Sequence, residues 1–427
     1  MLIIKNALLI DPSSSSEPVV GDIYVEGDKI VDKPSSLPDN LEVIKADGKW
    51  LSPGLVDIHC HLRDPGFPAK ETIASGTRSA AAGGFTCICP MANTKPTVDN
   101  LSTLEYIYLK AEKEGMIALK QHVALSHGLA SKELVDMRIL LDAGAVAFSD
   151  DGMPYDNVEL FRVGLEYAAS LDTVIVSHAE DSILATGGAM RRGEWSVRLG
   201  HTGMPAEAES AAVAREIEIL RSVPQAHLHF SHISTKASVE LIRRAKNDGL
   251  KVTAETTPHH LTSTDQAVSE HGTRAKMNPP LGTLEDITAI KAGLKDGTID
   301  ALATDHAPHT ESEKARSFQD APFGITGFET ALALYIESLI VTGVLTPLEL
   351  IRCLTTKAYD CLHIQDQPIS LQPRTIANLT LIDPDLAWTF REEDTQSLSK
   401  NSPYYGRLLK GRATHTIYKG KVVWKNV

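Results

Sequence analysis

The sequence has little cysteine and no excess of positive charge, and each shortage narrows what the chain can be. Five cysteines in 427 residues, Cys60, Cys87, Cys89, Cys353 and Cys361, are too few and odd in number for a disulfide framework. Cys87 and Cys89 flank one residue inside the apolar run FTCICP, a spacing that is neither a CxxC redox pair nor a zinc ribbon. Buried thiols in a reducing cytoplasm are the expectation. A formal net charge of −13 leaves no basic face to neutralise phosphates, which argues against general nucleic-acid binding. It does not argue against a small anion, since one or two local arginines decide that. No apolar run reaches the roughly eighteen residues of a membrane span. The opening MLIIKNALLIDPSSSS is not a basic-then-apolar signal segment, so no membrane contact is expected.

At 42% hydrophobic and 23% charged, the chain reads as a globular protein able to bury a sizeable core. Its two ends resemble each other. LIIKNALLID, GDIYVEGDKIV and LEVIKADGKWLSPG, then TIANLTLIDPD and GRATHTIYKGKVVW, are short apolar runs separated by turn residues. Between them strand-like and helix-like segments alternate. The strand candidates are LVDIHCH (55–61), FTCICPMAN (85–93), LKQHVALS (119–126), AVAFSDD (145–151), TVIVSHAE (173–180), HLHFSHIS (227–234), KVTAETTPHH (251–260) and IDALATDHAP (299–308). Helical periodicity fills several of the gaps, as in LSTLEYIYLKAEKEG, SKELVDMRILLDAG and TKASVELIRRAKNDG; the last two open at a capping Ser131 or Thr235. Eight βα repeats over roughly 250 residues predict an α/β fold, a (β/α)8 TIM barrel. The barrel is expected over 53–355. A small composite β-sandwich would be built from 1–52 and 356–427. A doubly wound open sheet is the alternative, weakened by the lack of a glycine-rich turn after the first central strand.

Polar residues fall at the ends of these runs. In a barrel the C-terminal strand ends share one face, so residues distant in sequence converge there. His59 and His61 alternate along the first strand and project to one side. Asp151 ends the fourth run, His178 the fifth, His232 the sixth and Asp305 the eighth. Four histidines and two carboxylates suit Zn²⁺, and tolerate Co²⁺ or Mn²⁺. Six ligands exceed one tetrahedral site but fit two ions with a bridging carboxylate and hydroxide. Asp150 competes with its neighbour for the bridging place. Arg63, two residues beyond His61, can grip a carboxylate through two parallel hydrogen bonds. Asn93 offers an amide donor and acceptor to the same ligand. The remaining histidines carry weaker signals: His227 and His229 share the face of His232 only in part and His229 reads as a packed strand residue, with His259 and His260 as pocket neighbours without ligation. His122, His127, His201, His271, His363 and His415 read as solvent or structural residues.

The motifs HCHLRDPG, MANTKP, FSDDG, TPHHL, MNPPL, TDHAPH and FGITGFET, in this order, closely resemble the bacterial class I dihydroorotases of the amidohydrolase superfamily. NSPYYGRLLKGRATHTIYKGKVV extends the resemblance to the C-terminus. It implies His59, His61 and Asp305 on one zinc ion, His178 and His232 on a second, and Asp151 between them. It implies Asp305 as general acid and base; His306, its neighbour, points to the other face of a regular strand and ranks behind it. Arg63, Asn93, Asn278, His309 and backbone groups at Phe323 and Gly324 would contact substrate. Many relatives bridge the metals with a carboxylated lysine on the fourth strand; this chain has AVAFSDDG there and no lysine, a departure that counts against the hydantoinase and allantoinase branches. The implied activity is reversible conversion of N-carbamoyl-L-aspartate to dihydroorotate in pyrimidine biosynthesis, by a homodimer able to associate with an aspartate transcarbamoylase. The rival is a non-catalytic subunit supporting that transcarbamoylase, although such proteins usually lack ligands that this chain keeps. The polar stretch 309–327 after the eighth strand is expected as a lid or a solvated connection.

Overall fold

The computed structural model describes residues 1–14, 17–38, 40–365 and 369–426. Parallel strands form the ring that the alternating pattern predicts. They are Leu55–Cys60, Phe85–Pro90, Ala118–Leu119, Val174–Ser177, His227–Phe230, Val252–Thr256 and Ala301–Leu302. The fourth run contributes one paired residue, Phe148, bridged in parallel to Val123 on one side and Ile175 on the other. The other neighbours pair in order around the ring. A parallel bridge from Cys60 to His306 closes it. Strands buried on both faces read as continuous apolar runs, which is why LVDIHC and FTCICP show little alternation.

Several strands are shorter than the apolar runs that announce them. The chain leaves extended geometry at the site: Arg63, His232 and Asp305 have φ of 58°, 35° and 45°. Non-glycine residues held there cost on the order of 1–3 kcal/mol each, a cost that clusters at functional sites. Helices Leu101–Glu114 and Lys236–Asn247 open at Asn100 and Thr235, whose side chains accept from the amides of Thr103 and Ser238. The helix expected from Ser131 instead begins at Met137 with Asp136 as its cap. Ser131 itself sits at φ 53°, outside helical space.

The two ends of the chain meet in one eight-stranded sheet. Trp50–Pro53 pairs antiparallel with Leu379–Thr389, Leu51 facing Leu381, and Leu408–Tyr418 and Lys421–Lys425 continue the order. Leu2, Ile4, Ile23, Leu51, Leu379, Leu381 and Ile417 fill a core separate from the barrel's. Helix Thr356–Cys361 belongs to the barrel: Ala358, Cys361 and Leu362 pack with Val56, Val174 and Ala301. A division after Leu362 therefore fits the packing better than one at residue 355. No helix among the described residues is long and apolar enough to cross a membrane.

Candidate functional site

The six expected ligands converge at the C-terminal mouth of the barrel, all buried. His61 Nε2 lies 3.1 Å from Asp305 Oδ1, and His59 Nε2 lies 3.8 Å from the same oxygen. His59 Nε2 is also 3.4 Å from Asp151 Oδ1, and His61 Nε2 is 3.6 Å from Asp151 Oδ2. On the far side of Asp151, His232 Nε2 and His178 Nδ1 stand 3.7 and 3.8 Å from Oδ1 and 3.0 Å from each other. Ligands about 2.0–2.1 Å from a tetrahedral ion are roughly 3.3 Å apart, so these separations suit a divalent metal. Two overlapping sets, His59–His61–Asp305 and His59–Asp151–His232, bring their ligand atoms close enough to share an ion. The buried His59 Nε2 and Asp151 Oδ1 have no hydrogen-bond partner. A buried ring nitrogen and a carboxylate oxygen that face each other without a hydrogen bond leave a place that a cation fills, so the donor set fits metal.

Asp150 and Asp151 point in different directions. Asp150 accepts from the amides of Leu125 and Ser126 at 2.8 and 3.0 Å and from the Ser126 hydroxyl. Its carboxylate is consumed in holding that loop, whereas that of Asp151 faces the histidines.

Three acidic or amide side chains set the rings. His59 Nδ1 lies 2.6 Å from Glu255 Oε1, whose other oxygen is 3.2 Å from His229 Nε2. Burial opposes ionisation of Glu255, but the neighbouring charge of His59 and bonds from both histidines win and pull its pKa down to about 2. Burial likewise opposes charge on His59, and Asp151 and Glu255 outweigh it, holding that pKa well above the usual histidine value. His61 Nδ1 bonds Asn93 Oδ1 at 2.9 Å while Asn93 Nδ2 reaches Asp151 Oδ2 at 3.3 Å. Asn278 Nδ2 donates to Glu180 Oε2 at 2.8 Å and lies 3.2 Å from His178 Nε2. The oxygens of Glu255 and Asn93 at Nδ1 of His59 and His61 turn Nε2 of each ring toward the place for a metal.

A cavity of about 350 Å³ opens above the ligands. Arg63, Asn93, Asn278, His309, Phe323 and Gly324, the expected substrate contacts, all line it. Arg63 Nε donates to Pro308 O at 3.4 Å, yet no carboxylate among the described residues lies within 4.0 Å of its guanidinium. His309 Nε2 bonds Phe323 O at 2.7 Å, so that nitrogen carries the proton, and Nδ1 accepts from Lys70 Nζ at 3.3 Å. Burial and then the charges of Arg63, Lys70 and Lys314 push its pKa far below the usual value, keeping it neutral.

The stretch expected as a lid is a pinned wall. Buried Lys276 gives its ammonium to Phe318 O, Gln319 O and Ala321 O at 2.7, 2.9 and 2.6 Å. Buried Lys314 donates to Pro322 O at 2.9 Å and to Lys276 O at 3.2 Å. Burial, then the charge of Lys276, lowers the Lys314 pKa to about 7. Gly324 N–H donates to Lys276 O at 2.9 Å and Gly324 O accepts from Asn401 at 3.1 Å. The N–H of Gly324 is thus engaged within the protein, while its carbonyl, with two lone pairs, accepts one bond from Asn401. Gly324 also serves close approach: at φ 126° an added Cβ would stand 2.6 Å from that of Ala307.

Sequence reasoning missed Glu255, Glu180, Lys276 and Lys314. His306 is turned away, with Nε2 3.2 Å from Glu71 and its ring stacked on Phe328. His259 is buried with both nitrogens unpartnered, beside the cavity but not lining it.

A family model described as "Dihydro-orotase-like" matches residues 48–238. The dihydroorotase of Endomicrobium trichonymphae is 45% identical over 422 residues, 99% of each chain. That of Geobacter metallireducens is 45% identical over 426 residues, again 99% of each. Among solved structures, the L-hydantoinase (dihydropyrimidinase) of Arthrobacter aurescens superposes with a TM-score of 0.88 at 25% identity, covering 99% of this chain and 96% of that one. A dihydropyrimidinase from Brevibacillus agri gives 0.83 at 24%, over 99% and 95%, a likeness of fold. Full-length identity above 40% to dihydroorotases, on a barrel whose mouth gathers the ligands, places the chain: it belongs to the dihydroorotase family.

Proposed function

We propose that this enzyme catalyses the reversible closure of N-carbamoyl-L-aspartate to (S)-dihydroorotate and water, in pyrimidine biosynthesis. The observation that carries the substrate is Arg63: a guanidinium at a metal-binding cavity with no carboxylate of its own. Two zinc ions would be held by His59, His61 and Asp305 on one side and His178 and His232 on the other, with Asp151 between. When bound they supply Lewis acidity toward a carbonyl and a water acidic enough to attack at neutral pH. The residues of the chain do the rest. Arg63 takes the carboxylate that stays outside the reaction, turning the ring amide toward Asp305. In the hydrolytic direction Asp305 accepts a proton from the attacking water and gives it to the ring nitrogen as the C–N bond breaks. In ring closure the carbamoyl nitrogen attacks the side-chain carboxyl carbon, and Asp305 takes its proton and gives it to the departing carboxyl hydroxyl, which leaves as water. Asn93 and Asn278 hold His61 and His178 while presenting amide groups to the ligand.

Purified protein incubated with dihydroorotate should turn it over, lose activity to a chelator and regain it with zinc. No turnover after metals are restored overturns the assignment. Hydantoin and allantoin run alongside; their turnover with dihydroorotate untouched would make this a different cyclic amidase. The five buried free cysteines are in keeping with a cytoplasmic setting. A homodimer, and assembly with an aspartate transcarbamoylase, follow from the family resemblance; size exclusion with and without that partner reads both.

The pinned wall has a measurable role. Lys276→Met leaves three carbonyls without a donor, at about 1–3 kcal/mol each if they stay buried, and frees the Phe323 ring stacked 4.5 Å from the ammonium. KM for dihydroorotate should rise about ten-fold with kcat within about two-fold and metal content unchanged, the signature of lost substrate binding. An unchanged KM removes the wall from substrate binding.

A further inference from the structure

Between strands Leu379–Thr389 and Leu408–Tyr418 the chain leaves the eight-stranded sheet and crosses to the mouth of the barrel. Glu329 Oε1 accepts from the amides of Gln396 and Ser397 at 2.9 and 3.2 Å, and Ser399 Oγ donates to Lys70 O at 2.7 Å. The crossing reaches the cavity wall at Asn401, which is 2% exposed. Asn401 Oδ1 accepts from the His309 amide at 3.1 Å, and Nδ2 donates to Ala307 O at 3.0 Å and to Gly324 O at 3.1 Å. Its own carbonyl accepts from Thr326 N–H at 3.1 Å. Ala307, His309 and Gly324 line the active cavity, whereas Asn401 stands behind them.

A side-chain amide carries two N–H donors and one oxygen, and here both donors and the oxygen are used. On one side it takes the carbonyl of residue 307 and the N–H of residue 309; on the other, Asn401 takes the carbonyl of residue 324 and the N–H of residue 326. In each case the two groups come from residues two apart, as when one strand residue meets a parallel neighbour, so Asn401 acts as one rung between two segments. Pro308 lies between the two groups held on the first side, and its carbonyl accepts from Arg63 Nε at 3.4 Å. One buried amide therefore fixes the chain on both sides of the carbonyl that meets Arg63. It also fixes the backbone that carries His309, and the Gly324 carbonyl, whose second lone pair is left for a ligand. A buried polar network with every member satisfied is rigid, and one with a member removed is costly.

We propose that Asn401 is a positioning residue for the substrate, and that the carboxy-terminal segment completes the barrel's pocket by holding Pro308 O, His309 and Gly324 in one arrangement. None of its hydrogen bonds goes to the histidines and aspartates that face the place for a metal. Its loss should therefore be felt in binding rather than in chemistry. The inference rests on the turnover of dihydroorotate proposed above, with Arg63 and His309 as substrate contacts.

The test compares kcat and KM for dihydroorotate, zinc content and thermal midpoint in the full-length protein. Asn401→Asp keeps the shape and the acceptor for the His309 amide but removes both N–H donors, and Asn401→Ala removes all three side-chain bonds. KM should rise about ten-fold in the first and about thirty-fold in the second, with kcat within about three-fold and zinc content unchanged. The isosteric Asn401→Asp carries the test alone where Asn401→Ala is too unstable to purify. Ser397→Ala removes a buried hydroxyl bond to Glu71 from the same segment, and should lower the thermal midpoint while KM stays at the wild-type value. A KM within about two-fold of wild type in Asn401→Asp overturns the proposal. A KM that rises as much in Ser397→Ala as in Asn401→Asp overturns it too, since any loosening of the segment would then suffice. No turnover of dihydroorotate by the wild-type protein would instead overturn the reaction on which the inference rests.

Discussion

Asp305→Asn is expected to reduce turnover of dihydroorotate, and of carbamoyl-aspartate in the reverse direction, by about 10²–10⁴-fold, the usual worth of a positioned acid or base. The carboxylate is placed for that work from several sides. Its own amide donates to His59 O at 3.0 Å, and the residue is held at φ 45°, so the side chain is turned into the mouth rather than along the strand. Burial opposes its charge, but the bond from His61 and the charges of His59, His61 and His232 prevail and hold its pKa below the ordinary carboxylate range. Asparagine keeps the shape and an oxygen for coordination but cannot take up a proton. Loss of rate with most of the metal retained therefore separates proton transfer from ligation. Equal loss of metal and rate would make Asp305 a ligand only, and a variant with more than a tenth of wild-type turnover would put the proton carrier elsewhere.

Arg63→Lys should lower kcat/KM for dihydroorotate by about 10–150-fold, with metal content near wild type. Hydrogen bonds to a charged group contribute about 1.5–3 kcal/mol, and lysine replaces a planar pair of donors with a single point charge. At about 1.4 kcal/mol per ten-fold, losing one arm of the pair gives that range. The arginine is aimed by its backbone at φ 58° and steadied by Pro308 O, 3.4 Å from Nε. The rate and metal content of Arg63→Lys should therefore separate: chemistry intact, substrate misplaced. A kcat/KM within three-fold of wild type would move the carboxylate clamp to another residue.

Most of the residues gathered at the barrel mouth were legible in the sequence because they sit at strand ends, where a polar residue interrupts an apolar run and has no packing reason to be there. The choice between Asp150 and Asp151 was not, since neighbours on a turning chain differ only in direction, and that direction is set by Leu125 and Ser126. Glu255 and His229 stayed hidden for another reason. They lie in the middle of strands on the inward face, where the role of a lone polar residue is not legible until its partner on the next strand is known. Lys276 and Lys314 were missed because nothing local announces a cage of carbonyls supplied by residues 318–322. The ring of eight runs was clear, whereas strand length was not: Phe148 alone carries the fourth, since the chain on either side turns to deliver Asp151.

The pairing of Leu51 with Leu381 joins residues 330 positions apart in the chain. At roughly 5–20 residues per second of synthesis, the edge of Trp50–Pro53 waits about 15–65 seconds for its neighbour on the ribosome. The barrel's first strand begins two residues after that edge, so the strand bearing His59 is tethered to a sheet that stays incomplete until nearly the whole chain has emerged. During vectorial synthesis the nascent amino-terminal strands present an open hydrogen-bonding edge of the kind that recruits other chains, which makes this segment the natural client of a co-translational chaperone.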